Sequence, residues 1–212
     1  MVRHHNHTII NIILSLTTIS FLSHTIHAQD KPLILSCGGS PAKDADGRNW
    51  DPDEKFLSAG AKSIAAKSDV QDPSLPSEIP YMTARIFQSE GKYQFPIKDV
   101  KSRTMLRLHF YPPSYPNFNI SKSYFAVVAG GVTLLNNFSA SISAEALSQA
   151  YFIKEFFLAP LDSPTLDVTF TPAAGAFAFV NGIEVLPIPA IFDSDPALAG
   201  TVGAGADGAD QR

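Results

Sequence analysis

Two stretches of the chain alternate apolar and polar residues with a period of two. In "TMLRLHFY" (104–111), Leu106, Leu108 and Phe110 face one way and Arg107 and His109 the other. In "TLDVTFTP" (165–172), Leu166, Val168 and Phe170 alternate with Asp167, Thr169 and Thr171. This pattern predicts antiparallel strands buried on one face. "LILSC" (33–37), "YMTARIFQ" (81–88) and "SYFAVVAGG" followed by "VTLLNNF" add further strands, the last two joined by a tight turn at Gly130-Gly131. "AFAFVNGIEVLPIP" (176–189) predicts another hairpin, with Asn181-Gly182 at the centre of a type I′ turn, closed by Pro187 and Pro189. The Pro-rich "QDPSLPSEIP" (71–80) can hold neither a helix nor a central strand.

Only "SISAEALSQAYFIKEFFL" (141–158) is ambiguous. Ser143 is placed to cap a short helix running through Ala150, after which the aromatic and β-branched "YFIKEFFL" suits a strand. Many short strands separated by Gly and Pro turns indicate an all-β, mainly antiparallel sandwich or jelly roll.

The ends do not share this pattern. Residues 1–28 open weakly basic, run through the apolar "TIINIILSLTTISFL" and reach Ala28 at a plausible cleavage point. That is the outline of a cleaved signal peptide, with an uncleaved membrane anchor as the alternative. Residues 29–192 then form one domain, and 193–212, poor in aromatics and rich in Gly, Ala and Asp, read as a disordered tail. The expected product is secreted.

Charge and chemistry narrow the function mainly by exclusion. A net charge of −4 gives no reason to expect nucleic acid. Lys98, Lys101, Arg103 and Arg107 cluster as a turn and a strand's polar face would. The single cysteine, Cys37, reads as a buried small hydrophobe or as a thiol whose partner lies elsewhere. Of six histidines, only His109 lies beyond the leader, and no Gly-x-Ser-x-Gly accompanies it, so a nucleophilic triad is not expected. Glu145, Glu155, Asp167 and Glu184 are carboxylates that spacing alone cannot pair as a glycosidase requires. "DADGRNWDPDE" (44–54) fails the EF-hand pattern, with Asn49 where Gly and Lys55 where Glu is needed, which leaves a solvated loop anchored by Trp50 or a calcium site of another kind. No phosphate-binding Gly loop is present, and no set of Cys and His residues has zinc spacing. The sequons at Asn119 and Asn137 are candidate glycosylation sites. Tyr81, Tyr111, Tyr115 and Tyr151 are candidates for stacking on a sugar or accepting a peptide. "FYPPSYPNFN" (110–119) reads as a stiff aromatic loop at the rim.

"LSCGGS", "DADGRNWDPD", "IPYMTARIF", "RLHFYPPSY", "LLNNFSAS", "IKEFFL", "LDVTFTP" and "AFAFVNGIEVLPIP" occur in one order and spacing. Together they resemble the first malectin-like domain in the ectodomain of plant receptor kinases of the FERONIA, ANXUR and THESEUS group, from about Pro32 to Ile191. The resemblance implies a malectin-like jelly-roll β-sandwich at the cell surface. In that family two such domains stand in tandem before a membrane helix and a serine/threonine kinase. Members are implicated in cell-wall sensing and in perceiving secreted alkalinization-type peptides beside GPI-anchored co-receptors. The expectation is a noncatalytic extracellular recognition module without the membrane and kinase parts, in the apoplast. The sequence holds no Gly-rich ATP loop, His-Arg-Asp or Asp-Phe-Gly. The animal namesake is a disaccharide-binding lectin built on clustered aromatics and an acidic group. A secreted lectin for cell-wall glycans, with Tyr81, Tyr111 and Tyr115 as its ligand-binding candidates, is therefore the alternative.

Overall fold

The structure is a computed structural model and describes residues 31–188. The leader at 1–28 and the tail at 193–212 lie outside the described residues. The strands are β1 (Leu33–Ser36), β2 (Ala42–Lys43), β3 (Asn49–Pro52), β4 (Ser63–Lys67), β5 (Thr83–Phe87), β6 (Gly91–Pro96), β7 (Thr104–Phe110), β8 (Phe125–Ala129), β9 (Val132–Phe138), β10 (Phe152–Leu158), β11 (Thr165–Pro172), β12 (Ala178–Val180) and β13 (Gly182–Pro187). Among the described residues one α-helix, α1 (Ala140–Leu147), sits between β9 and β10.

The strands form three sheets, ordered β10-β7-β13-β1-β3-β2, β6-β11-β8-β9 and β12-β5-β4. All pairings are antiparallel except β1 with β3. The inward residues of β7 and β11 are those the alternation selects: Leu106, Leu108, Phe110, Leu166, Val168 and Phe170 are fully buried. Phe110 joins the layers. Its ring lies 5.2 Å from Phe138 and 6.1 Å from Phe125 in the four-stranded sheet, and 5.9 Å from Phe179 in the three-stranded one. Such tilted and edge-on pairs suit the ring quadrupoles and add to what burial alone contributes.

Gly130 and Gly131 turn the β8–β9 hairpin at φ +54° and +81°, the positive values that a two-residue primed turn requires. Asn181-Gly182 does something different. Neither residue has positive φ, and the flanking strands do not pair with each other. β12 pairs with β5 in one sheet, whereas β13 lies between β1 and β7 in another. The expected hairpin is instead a crossover between sheets, fixed by long-range hydrogen bonds to Asn181. The helix also starts earlier than expected. Ser139 is its N-cap residue, Ser143 lies inside it with its hydroxyl donating to the Ser139 carbonyl at 2.9 Å, and Ser148 ends it at φ +52°.

A second polar cluster is buried where β3, β5 and β6 meet. Arg85 donates to Asp53 through Nε (2.9 Å) and Nη2 (2.7 Å), and the Tyr93 hydroxyl donates to the same carboxylate at 2.6 Å. The Gly38 N–H adds a fourth donor at 3.0 Å. Cys37 is buried beside this cluster as a free thiol, and burial raises its pKa.

Candidate functional site

The alternation in β7 that buries Leu108 sends Arg107 and His109 to the outer face of the six-stranded sheet. The same logic in β13 buries Ile183 and Val185 and sends Glu184 outward, directly opposite Arg107. Gly182 lies opposite His109. Its missing side chain is a matter of space, since a Cβ there would stand 2.7 Å from Pro80 Cγ and 2.9 Å from Trp50 Cζ3. The loop carrying Pro76, Ile79 and Pro80 therefore lies close over the sheet and roofs a cavity of about 250 Å³.

The base of this cavity is a continuous polar chain. His109 Nε2 lies 2.8 Å from Glu184 Oε1, and Nδ1 lies 3.1 Å from the Tyr81 hydroxyl. With Glu184 ionised, Nε2 donates to its carboxylate, and Nδ1 lies within hydrogen-bond reach of the Tyr81 hydroxyl. Trp50 meets the imidazole edge-on at 5.3 Å and donates from Nε1 to Asp44 at 2.9 Å. Arg48 links the two ends: its Nε donates to Asp44 at 2.8 Å, and its Nη1 stands 3.4 Å from Glu184 Oε2. Asp44 also accepts from the N–H groups of Asp46 and Arg48, which folds "DADGRNW" around its own carboxylate. Protein donors thus engage the Asp44 and Asp53 carboxylates of "DADGRNWDPDE", and no metal-holding cluster occurs among the described residues.

Burial pushes the Glu184 carboxyl upward. The hydrogen bond from His109 and the charges of His109, Arg48 and Arg107 outweigh it, so the group is held below its ordinary 4.5. Asp44 is likewise held below 3.8, its burial offset by the bonds from Trp50 and Arg48. Glu155 and Glu184 both converge on Arg107, at 2.6 and 3.8 Å. A glycosidase needs one carboxyl kept protonated as a general acid. Glu184 is instead held as the carboxylate, which suits electrostatic recognition and not proton donation.

The three tyrosines singled out by sequence are buried and take different roles, although Tyr81 and Tyr111 pack in one cluster. Tyr81 walls the cavity, its ring 5.8 Å from His109 and 4.7 Å from Tyr151. Tyr111 instead ties down the Pro-rich loop: its hydroxyl accepts from the Asp72 N–H and donates to the Val70 carbonyl. Tyr115 donates to the Tyr111 carbonyl and accepts from the Asn181 amide. Their relative exposures are 4%, 4% and 3%, so these rings do not assemble the open stacking platform that a lectin site requires. Asn119 and Asn137 are both exposed. Asp44, Arg48, Trp50, His109 and Glu184 were not foreseen as a group. The strand alternation carried part of the signal by placing Arg107, His109 and Glu184 on outward faces.

Fold and cavity together define a β-sandwich whose outer face carries a charged site, with Glu184 and Asp44 held as carboxylates. Residues 35–192 match the model of the malectin-like domain, and the chain belongs to that family. It is 51% identical over 194 residues to the receptor-like protein kinase ANXUR1 of Arabidopsis thaliana, covering 89% of this chain and 22% of the relative. To FERONIA of the same plant it is 41% identical over 200 residues, covering 91% and 22%. Among solved structures it superposes on the ANX2 ectodomain from Arabidopsis thaliana with a TM-score of 0.72 at 49% identity, over 75% of this chain and 42% of that one. The crystal structure of the plant peptide RALF23 in complex with FER and LLG2 gives 0.69 at 42% identity, over 84% and 45%. The chain thus spans about a fifth of the full length of these receptor kinases.

Proposed function

We propose that this chain is an extracellular ligand-recognition module of the receptor-kinase ectodomain type, without catalytic activity of its own, that perceives a secreted peptide of the alkalinization type together with a GPI-anchored co-receptor. The observation that carries this reading is the likeness to FER as it occurs in complex with RALF23 and LLG2, at 42% identity over 84% of the chain. The ionised, ion-paired state of Glu184 supports binding over hydrolysis. Secretion to the apoplast behind a cleaved 1–28 leader and glycans on the exposed Asn119 and Asn137 belong to the same reading. Among the described residues no helix is long and apolar enough to cross a membrane.

Calorimetric titration of the purified chain tests it, with alkalinization-type peptides in one series and cell-wall oligosaccharides in another, each with and without co-receptor. Saturable peptide binding without a sugar response is expected. Sugar binding lost on Tyr81→Ala, with no response to any peptide, would replace this reading with the lectin.

A further inference from the structure

The cavity over His109 has a volume, a charge and a wall that select one kind of occupant. At about 250 Å³ it falls below the roughly 300–1,000 Å³ typical of pockets that enclose a small molecule. That leaves room for one long side chain and not for a sugar unit with its neighbours. Four carboxylates line it, Asp44, Asp46, Glu155 and Glu184, against two guanidiniums, Arg48 and Arg107. With His109 neutral the cavity holds two excess negative charges, and with His109 protonated it still holds one.

The guanidiniums leave little for an anion. Arg48 is committed to Asp44 and Glu184, and Arg107 to Glu155 and Glu184. At the mouth, Asp46 makes no ion pair among the described residues, and Glu155 shares Arg107 with Glu184. Glu155 has 46% of its side chain exposed, and its bond to Arg107 is of the solvated kind that an incoming cation exchanges at little cost. Asp46 is exposed at the rim. Between rim and base the wall is apolar and aromatic, formed by Ile79, Ile153 and the Tyr151 ring packed on Tyr81. Methylene groups fit along such a wall while a charged head stays at carboxylates, and a tyrosine face attracts a cation further.

We infer that this cavity is a binding site for a cationic side chain, an arginine or lysine presented by a peptide ligand. The inference rests on the peptide-recognition reading above and names the site and the chemistry by which that recognition occurs. Glu184 supplies a negative charge at the base that persists in mildly acidic surroundings, because its carboxyl is held below the ordinary value. Glu155 and Asp46 supply the mouth.

The test is an NMR titration of the full chain, following the Ile79 and Ile153 methyls and the His109 ring, with Nα-acetyl-arginine amide and its neutral isostere Nα-acetyl-citrulline amide. The expected result is saturable shifts confined to those residues, with citrulline at least about tenfold weaker. The double variant Glu155→Gln/Asp46→Asn, altered only at the exposed mouth, is expected to weaken arginine binding about tenfold with an unchanged melting temperature. Equal binding of arginine and citrulline, equal affinity in the double variant, or no saturation would each overturn the proposal. A parallel titration with RALF23 separates it from the reading beneath it. A peptide that binds wild type and double variant equally upholds peptide recognition and removes this cavity from it. Arginine saturating the cavity while no alkalinization-type peptide binds upholds the cation site and removes the peptide reading.

Discussion

The side chain of Asn181 accepts the backbone N–H of Tyr111 at 2.7 Å and, through its amide nitrogen, reaches the carbonyls of Tyr81 and Thr83 and the hydroxyl of Tyr115. One buried residue thereby fixes the point at which the chain leaves the three-stranded sheet and enters the six-stranded one. Replacing it with alanine strands several buried polar groups at once, and each unsatisfied group costs about 1–3 kcal/mol. Asn181→Ala is therefore expected to lose at least about 3 kcal/mol. At ~2–4 °C per kcal/mol for a domain of this size, that lowers the melting temperature by roughly 6 °C or more. Urea denaturation followed by circular dichroism measures it. A loss below about 1 kcal/mol would mean that water replaces the amide and that the crossover is held elsewhere.

Gly182 marks the closest approach of the roofing loop to the sheet. Gly182→Ala would press a methyl against Pro80 and the Trp50 ring, at 2.7 and 2.9 Å. Overpacking of this sort costs about 1–3 kcal/mol. Trp50 is the sole tryptophan, so its fluorescence should shift together with the stability. A stable variant with an unchanged emission spectrum would show that the loop moves away freely.

Much of this architecture is legible in the sequence, and the exceptions have a common cause. Strand alternation needs only neighbouring residues, which is why β7, β11 and the Gly130-Gly131 hairpin can be read directly. Asn-Gly is equally compatible with a hairpin and with a crossover. What decides between them at Asn181 is a set of partners 66 to 100 residues away. The cavity is partly legible for the same reason. Alternation shows that Arg107, His109 and Glu184 face outward. It does not show that β13 lies beside β7, or that Asp44 and Trp50 arrive from the far edge of the sheet. Tyr111 and Tyr115 look like surface aromatics because tyrosine carries a polar tip, and that tip is spent on backbone partners in the interior.

The Arg85–Asp53 pair is 5% and 0% exposed, so its two partners should behave very differently when removed singly or together. Asp53→Ala leaves a guanidinium buried, which costs about 3–5 kcal/mol. Adding Arg85→Leu removes that stranded charge and should recover a substantial part of the loss. A double-mutant cycle by denaturant unfolding reads the coupling. Additive losses would mean that Glu54, which also reaches Arg85 at 3.2 Å, satisfies the arginine alone.

Acid should destabilise the fold through Glu184 in a definite direction. Its carboxyl is held below 4.5, chiefly because the bond from His109 and the neighbouring positive charges outweigh its burial. A depressed carboxyl contributes stability that is fully present above the unfolded value and is lost as the pH falls through the folded one. The melting temperature of the wild type should therefore drop as the pH is taken below 4.5, and Glu184→Gln should show a shallower drop over the same range. Near neutral pH the variant should be the less stable of the two, since it gives up the charge that faces Arg48 and Arg107. Parallel acid limbs would place the source of the pH dependence at other carboxylates, Asp44 and Asp72 first among them.

Tyr115 offers the sharpest distinction between framework and binding surface. Its hydroxyl bridges the Tyr111 carbonyl and the Asn181 amide at 3.0 and 2.8 Å, and its ring is buried 6.0 Å from Phe179. Tyr115→Phe keeps the ring and removes only the bridge, so it is expected to cost about 1–3 kcal/mol, the range for a buried carbonyl left without its donor. Tyr115→Ala also opens a cavity, and truncations of large aromatic side chains cost about 3–5 kcal/mol. If Tyr115 is framework, oligosaccharide titrations of the phenylalanine variant should match the wild type, because no sugar ring touches the hydroxyl. A variant of wild-type stability that loses a sugar response would instead place Tyr115 at a ligand. The Pro-stiffened loop beyond it would then have to open for binding to occur.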